Sequence, residues 1–120
     1  MSSLNEQYET LTETLQGLLG NSVTNITVDG QFISPKQGVP SVLIEPPELS
    51  VEKWSEGEAT WKIDIIAGTT TTQALSLFDC LTVLDKLIAG NLNIASATPV
   101  TYLNNGLSLA AYQITLNPFD

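Results

Sequence analysis

The sequence has no histidine and no arginine. Histidine is the commonest general base and metal ligand near neutral pH, so its absence removes the usual centre of hydrolytic and metal chemistry. The four cations are all lysines, Lys36, Lys53, Lys62 and Lys86. Set against thirteen acids, they leave a formal net charge of −9. Binding to nucleic acid draws on cations that neutralise phosphates, and four scattered lysines form no basic stripe. Tight, direct binding to DNA or to an anionic membrane is therefore not expected.

One cysteine, Cys80, lies in an apolar stretch. It has no partner for an internal disulfide and no histidine to activate it, so it reads as a small buried hydrophobe. No apolar run is long enough to span a bilayer. The N-terminal residues lack the charged and apolar regions of a secretion signal, which predicts synthesis and retention in a reducing cytoplasm. On that reading the sequon Asn25-Ile26-Thr27 is a chance match. No phosphate-binding glycine loop is present; Gly17 and Gly20 close a helix instead of opening one.

What is present suits one globular domain over residues 1–120. Hydrophobic residues make up 42% of the chain, enough for a core without metal or disulfide. Ser3-Leu4-Asn5-Glu6 has the form of a capping box. Behind it Leu4, Tyr8, Leu11, Leu15, Leu18 and Leu19 fall on one helical face, and Gly20-Asn21 ends the helix. Residues 23–28 are β-branched and stop at the turn signal Asp29-Gly30. Val42-Leu43-Ile44 predicts a second strand, closed by Pro46-Pro47. A third alternates: Trp61, Ile63, Ile65 and Ala67 on one side, Thr60, Lys62 and Asp64 on the other, with Asp64 read as an outward polar residue.

The threonine run at 69–72 offers a cap for a second helix. That helix reaches about Ala89 and stops at Gly90-Asn91. Ala74, Leu77, Phe78, Leu81, Leu84 and Ile88 form one apolar stripe; Leu75, Val83 and Leu87 form another, which a neighbouring subunit could cover. Residues 94–102 read as a strand that bends or lies at an edge because of Pro99. Asn104-Asn105-Gly106 signals a turn before a last strand at 109–116. The order α-β-β-β-α-β-β predicts an α+β, two-layer sandwich: a mostly antiparallel sheet of four or five strands with two helices on one face.

The candidate functional residues lie on surfaces. Glu45, Glu48, Glu52, Glu56 and Glu58 cluster along an acidic connection around residues 48–57. Paired carboxylates there could serve as acid and base or hold calcium, but the alternating pattern of a calcium loop is missing. The expectation is no catalytic residue, no cofactor and no metal, hence no enzyme. Trp54 among those acids is either an interface anchor or a lid folded back on the core. The interface candidates are Pro46, Pro47, Glu48, Glu52, Trp54, Glu56, Glu58, Leu75, Val83, Leu87, Asn104 and Asn105.

The sequence also resembles a family. The residues that carry the likeness are a strand ending in proline, Val42-Leu43-Ile44-Glu45-Pro46-Pro47, and an alternating strand from Ala59 through Gly68. A long helix, then Ala95-Ser96-Ala97-Thr98-Pro99-Val100 and Ala111-Tyr112-Gln113-Ile114-Thr115-Leu116, complete it. In order and length the chain resembles the tail terminator, or tail completion, proteins of long-tailed bacteriophages. The resemblance rests on order and texture across nearly the whole chain and on no single motif. It implies a ring, usually a homohexamer, at the head-proximal end of the virion tail, made in the bacterial host cytoplasm. The partners it implies are further copies of the chain, the tail tube protein and a head-completion (connector) protein. DNA passes through the hole without specific contact, and an acid-lined lumen would not grip it. Two alternatives stay open: a head–tail connector of similar size, and an acidic inhibitor or immunity-type protein that blocks a nucleic-acid-binding partner by charge mimicry.

Overall fold

A computed structural model describes residues 4–36, 38–49, 59–68, 73–104 and 107–117. The chain folds as an α+β protein. Helix α1 spans Leu4–Leu19, followed by a 3-10 turn at Gly20–Ser22. Strand β1 (Ile26–Thr27), a 3-10 turn at Gly30–Phe32 and strand β2 (Ser41–Ile44) come next. Then follow β3 (Glu48–Leu49), β4 (Ala59–Thr60), β5 (Lys62–Ile66), helix α2 (Gln73–Ala89), β6 (Ile94–Asn104) and β7 (Leu107–Leu116).

The main sheet runs β1-β2-β5-β7-β6. Only the β1–β2 pair is parallel; β2–β5, β5–β7 and β7–β6 are antiparallel. Both helices pack on the same face. Their residues Leu11, Leu15, Leu19, Cys80, Val83 and Leu87 share a buried cluster with Trp61, Ile63, Ile65 and Ile114 from the sheet. The stripe predicted for the third strand, Trp61, Ile63, Ile65 and Ala67, is therefore the floor of the helix layer. A smaller cluster on the opposite face joins Ile33, Leu43, Ile66, Leu109 and Ala111, with Tyr102 against it.

Some elements depart from the sequence reading. The predicted strand at 23–28 shrinks to two residues, because Asn25 turns its side chain to the fold: its amide donates to the Phe32 carbonyl at 2.7 Å and its Oδ1 meets Ser41. The third strand divides at Trp61 into β4 and β5, and β4 pairs with β3 to begin and end the acidic connection as a hairpin. The capping box and the threonine run fall on Ser3 and 69–72, outside the described residues.

Helix α2 stops through its backbone geometry. Asn91 adopts a left-handed φ of 63°. The Leu92 amide then donates to the Leu87 carbonyl at 3.1 Å and the Asn91 amide to that of Ile88 at 3.0 Å, which satisfies carbonyls the helix end would leave open. Gly90 is needed for a different reason: a Cβ there would lie 2.2 Å from Leu18 Cδ2 and 2.9 Å from Cδ1, so the helices approach over a bare backbone. Gly90→Ala is expected to destabilise the fold by about 1–2 kcal/mol despite alanine's better helix propensity. Urea denaturation checks this; a variant more stable than the parent would mean that Leu18 moves aside at no cost.

Pro99 sits where the ladder can spare it. The Ala67 amide donates to the Ala110 carbonyl and the Leu116 amide to that of Trp61, each at 2.9 Å, so the even-numbered residues of β7 aim their backbone groups at β5. Pro99 pairs with one of these, Tyr112. In an antiparallel pair, opposite residues that do not bond each other point away from one another, so the Pro99 nitrogen faces the open edge. β6 is thus an edge strand, with a register shift between Ile94 and Ser96.

Candidate functional site

The most distinctive polar group of the described residues lies on the face opposite the helices. Leu43 on β2 pairs with Asp64 on β5, and Asp64 pairs with Gln113 on β7. Cross-strand partners share a face, and Glu45, two residues beyond Leu43, joins them. Asp64 is only 6% exposed, which corrects its reading as an outward polar residue. The reason is the second apolar cluster: Ile66 lies two residues along β5 on the same face, and Leu109 and Ala111 lead up to Gln113 on β7. Those apolar neighbours were the sequence signal that this face is not solvent.

Burial pushes the Asp64 carboxyl up to about 8, helped by a hydrogen bond with Glu45 and by that residue's charge. A hydrogen bond with Gln113 and the charge of Lys62 pull the other way without prevailing. As a neutral acid near pH 7, Asp64 carries a proton that it can donate to Glu45, while Gln113 Nε2 donates to Glu45 Oε2 at 2.9 Å. The group opens into a groove of about 420 Å³ walled by Leu43, Val100, Thr101 and Tyr102. Two carboxyl groups sharing a proton can exchange it with solvent, and no cluster among the described residues is suited to hold a metal ion.

The residues singled out from the sequence fall apart into separate places. Pro46 is exposed and Pro47 half-buried. Glu48, on β3, is exposed and pairs with Lys62 Nζ at 3.2 Å. Glu52, Trp54, Glu56, Glu58 and Asn105 lie outside the described residues. Leu75 belongs to α2 and Asn104 ends β6, but neither side chain is among those described. Val83 and Leu87 are corrected: at 1% and 0% exposure they are core residues of this chain, and no neighbour can cover them. With Cys80, and with Leu84 from the other stripe, they face the sheet. The rest of that other stripe includes Phe78 and Ile88, which are exposed at 61% and 56%. Periodicity shows that α2 has two apolar stripes; it does not say which one meets the sheet.

Cys80 is fully buried, with its Sγ 3.5 Å from the Ile65 carbonyl oxygen. Burial, then the charge of Asp79, pushes the thiol up to about 11. The thiolate is the nucleophile, so Cys80 is expected to resist alkylation at pH 8 in the native protein and to react only after denaturant is added. Prompt labelling of the native protein would mean that α2 opens readily.

Fold and site together define a two-layer α+β protein whose conspicuous polar group is the buried Asp64 carboxyl paired with the half-buried Glu45, with the edge strand β6 beside it. No protein-family model matches the sequence, and no curated protein matches it significantly. No helix among the described residues is long and apolar enough to cross a membrane.

Proposed function

We propose that this protein is a structural, non-catalytic component of a long-tailed phage virion. Copies of it form a ring on the last ring of the tail tube, stop the tube's growth and present the surface where the head docks. The observation that carries this reading is the distribution of charge. From Leu87 to Phe119 the sequence holds no charged side chain, in a chain whose net charge is −9. That stretch contains β6, β7 and the turn after α2, with residues 95–101 all exposed. A long, neutral, solvent-facing edge strand on an acidic body suits contact with protein, and acids placed elsewhere suit a passage through which DNA moves without adhering. The resemblance in order and length to tail terminator proteins names the assembly. Virion location and the tube and connector partners follow from the same reading.

The test is to polymerise a cognate tail tube protein in the presence of this chain. Short tubes capped at one end are the expected result. Tubes of unchanged length, with no density at their tips, would overturn the reading. A tight one-to-one complex with a nucleic-acid-binding enzyme would favour the inhibitor alternative.

A further inference from the structure

We propose that the open edge of β6 is the surface on which a second copy of this chain adds its own backbone. The proposal deepens the assembly reading and rests on it only in taking the partner to be a copy.

The backbone direction derived for Pro99 fixes which groups are on offer. Ala97, Pro99, Thr101 and Leu103 turn their backbone away from β7, and these outward groups meet no partner among the described residues. Edge strands of this length invite pairing, and proteins that avoid it place charges along the edge or cover it. β6 has eleven residues and no charge, and nothing described covers it. Its two guards are Pro99, which deletes one outward donor, and the irregularity at Ile94/Ser96. Both lie in its first half or middle, so the unguarded part is the half toward the hairpin tip. There Leu103 is 72% exposed and Val100 37%. At the other end of the strand an open hollow of about 640 Å³, lined by Ile88, Leu92 and Ile94 among others, continues the neutral surface.

Charge identifies the occupant. Two bodies of net charge −9 repel, least where the facing surfaces are neutral, and salt screens the remainder over a Debye length of roughly 8 Å at physiological strength. The Leu87 to Phe119 stretch holds no charge of its own, so a copy meets the least repulsion along it, with Glu45 and Asp64 in the groove beside Thr101 as acids it still faces. A basic partner would gain nothing there and would be drawn to the acids of the rest. Copy-to-copy pairing at β6 is therefore expected to strengthen as salt rises, whereas a contact with a basic partner weakens.

The experiment measures solution mass by light scattering across concentration and salt for the native chain, Thr101→Pro and Leu103→Lys. It adds amide hydrogen exchange on the native chain. Thr101→Pro removes an outward donor without touching the β6–β7 ladder; Leu103→Lys charges the edge. Expected are a native oligomer favoured by salt, both variants folded but monomeric, and slowed exchange at Ala97, Thr101 and Leu103 in the oligomer alone. Variants that keep the native mass overturn the proposal and leave the ring reading to the tube-capping assay. So does a native chain that is monomeric throughout, or protection that appears only when tube protein is added. If the variants misfold, exchange decides: fast exchange at Thr101 and Leu103 in a native oligomer overturns the proposal.

Discussion

Trp61→Ala is expected to cost about 3–5 kcal/mol, enough to consume much of the stability of a domain this size. Trp61 is 3% exposed at the break between β4 and β5. Its indole Nε1 donates to Gln7 Oε1 at 2.9 Å, and its ring stacks on Tyr8 with centroids 6.5 Å apart. Truncation empties a cavity between α1 and the sheet and withdraws a donor from a buried amide. Trp61→Phe separates the two effects. It keeps most of the ring, loses the N–H, and is expected to cost about 1–3 kcal/mol. Gln7, 2% exposed, is the cause of that residual cost, so Gln7→Leu combined with Trp61→Phe should recover part of it. Urea midpoints for the three variants check the ordering. Equal losses for the Phe and Ala variants would show that the hydrogen bond, not the ring, holds α1 in place.

Asp64→Asn is expected to stabilise the protein above neutrality and to flatten its pH dependence. The Asp64 carboxyl rises from an ordinary 3.8 to about 8 in the fold, so between those values the folded chain holds a proton that the unfolded chain has released. Stability therefore falls as pH climbs through that window: no penalty is felt below about 4, and the full penalty is felt above about 8. Asparagine keeps the shape, can donate to Glu45 and can accept from Gln113, without a charge to bury. Allowing for water that reaches the pair through the groove, the gain at pH 8 is about 2 kcal/mol, shrinking toward zero near pH 4. Denaturation of both proteins at pH 5 and pH 8 measures it. Because the other acids titrate alike in both, the difference between the two proteins isolates this pair. Parallel stabilities at both pH values would show that Asp64 is ionised in the fold.

Both effects mark the limit of what the residues alone disclose. The strand pattern from Trp61 to Ala67 and the extent of both helices were legible because one buried face imposes a strict period. The edge position of β6 was one of the two readings that Pro99 left open, a bend or an edge. Gln7 was not: a glutamine on a helix looks solvated until a tryptophan far along the chain reaches it. Asp64 was misread because alternation separates two faces without saying that the second is also covered, here by Ile33 and Tyr102. Val83 and Leu87 were misplaced for a related reason, as α2 offers two apolar stripes and the sheet selects one.

Strand β7 follows α2 and β6 in the sequence yet lies inside the sheet between β5 and β6. Its Ile114 and Leu116 complete the cluster that holds α1, far earlier in the sequence. A nascent chain therefore cannot close this core until Leu116 has left the ribosome. Folding is governed by contacts between segments distant in sequence, and such topologies fold slowly for their length. In a cell making many copies at once, that interval is when chaperones would meet this protein.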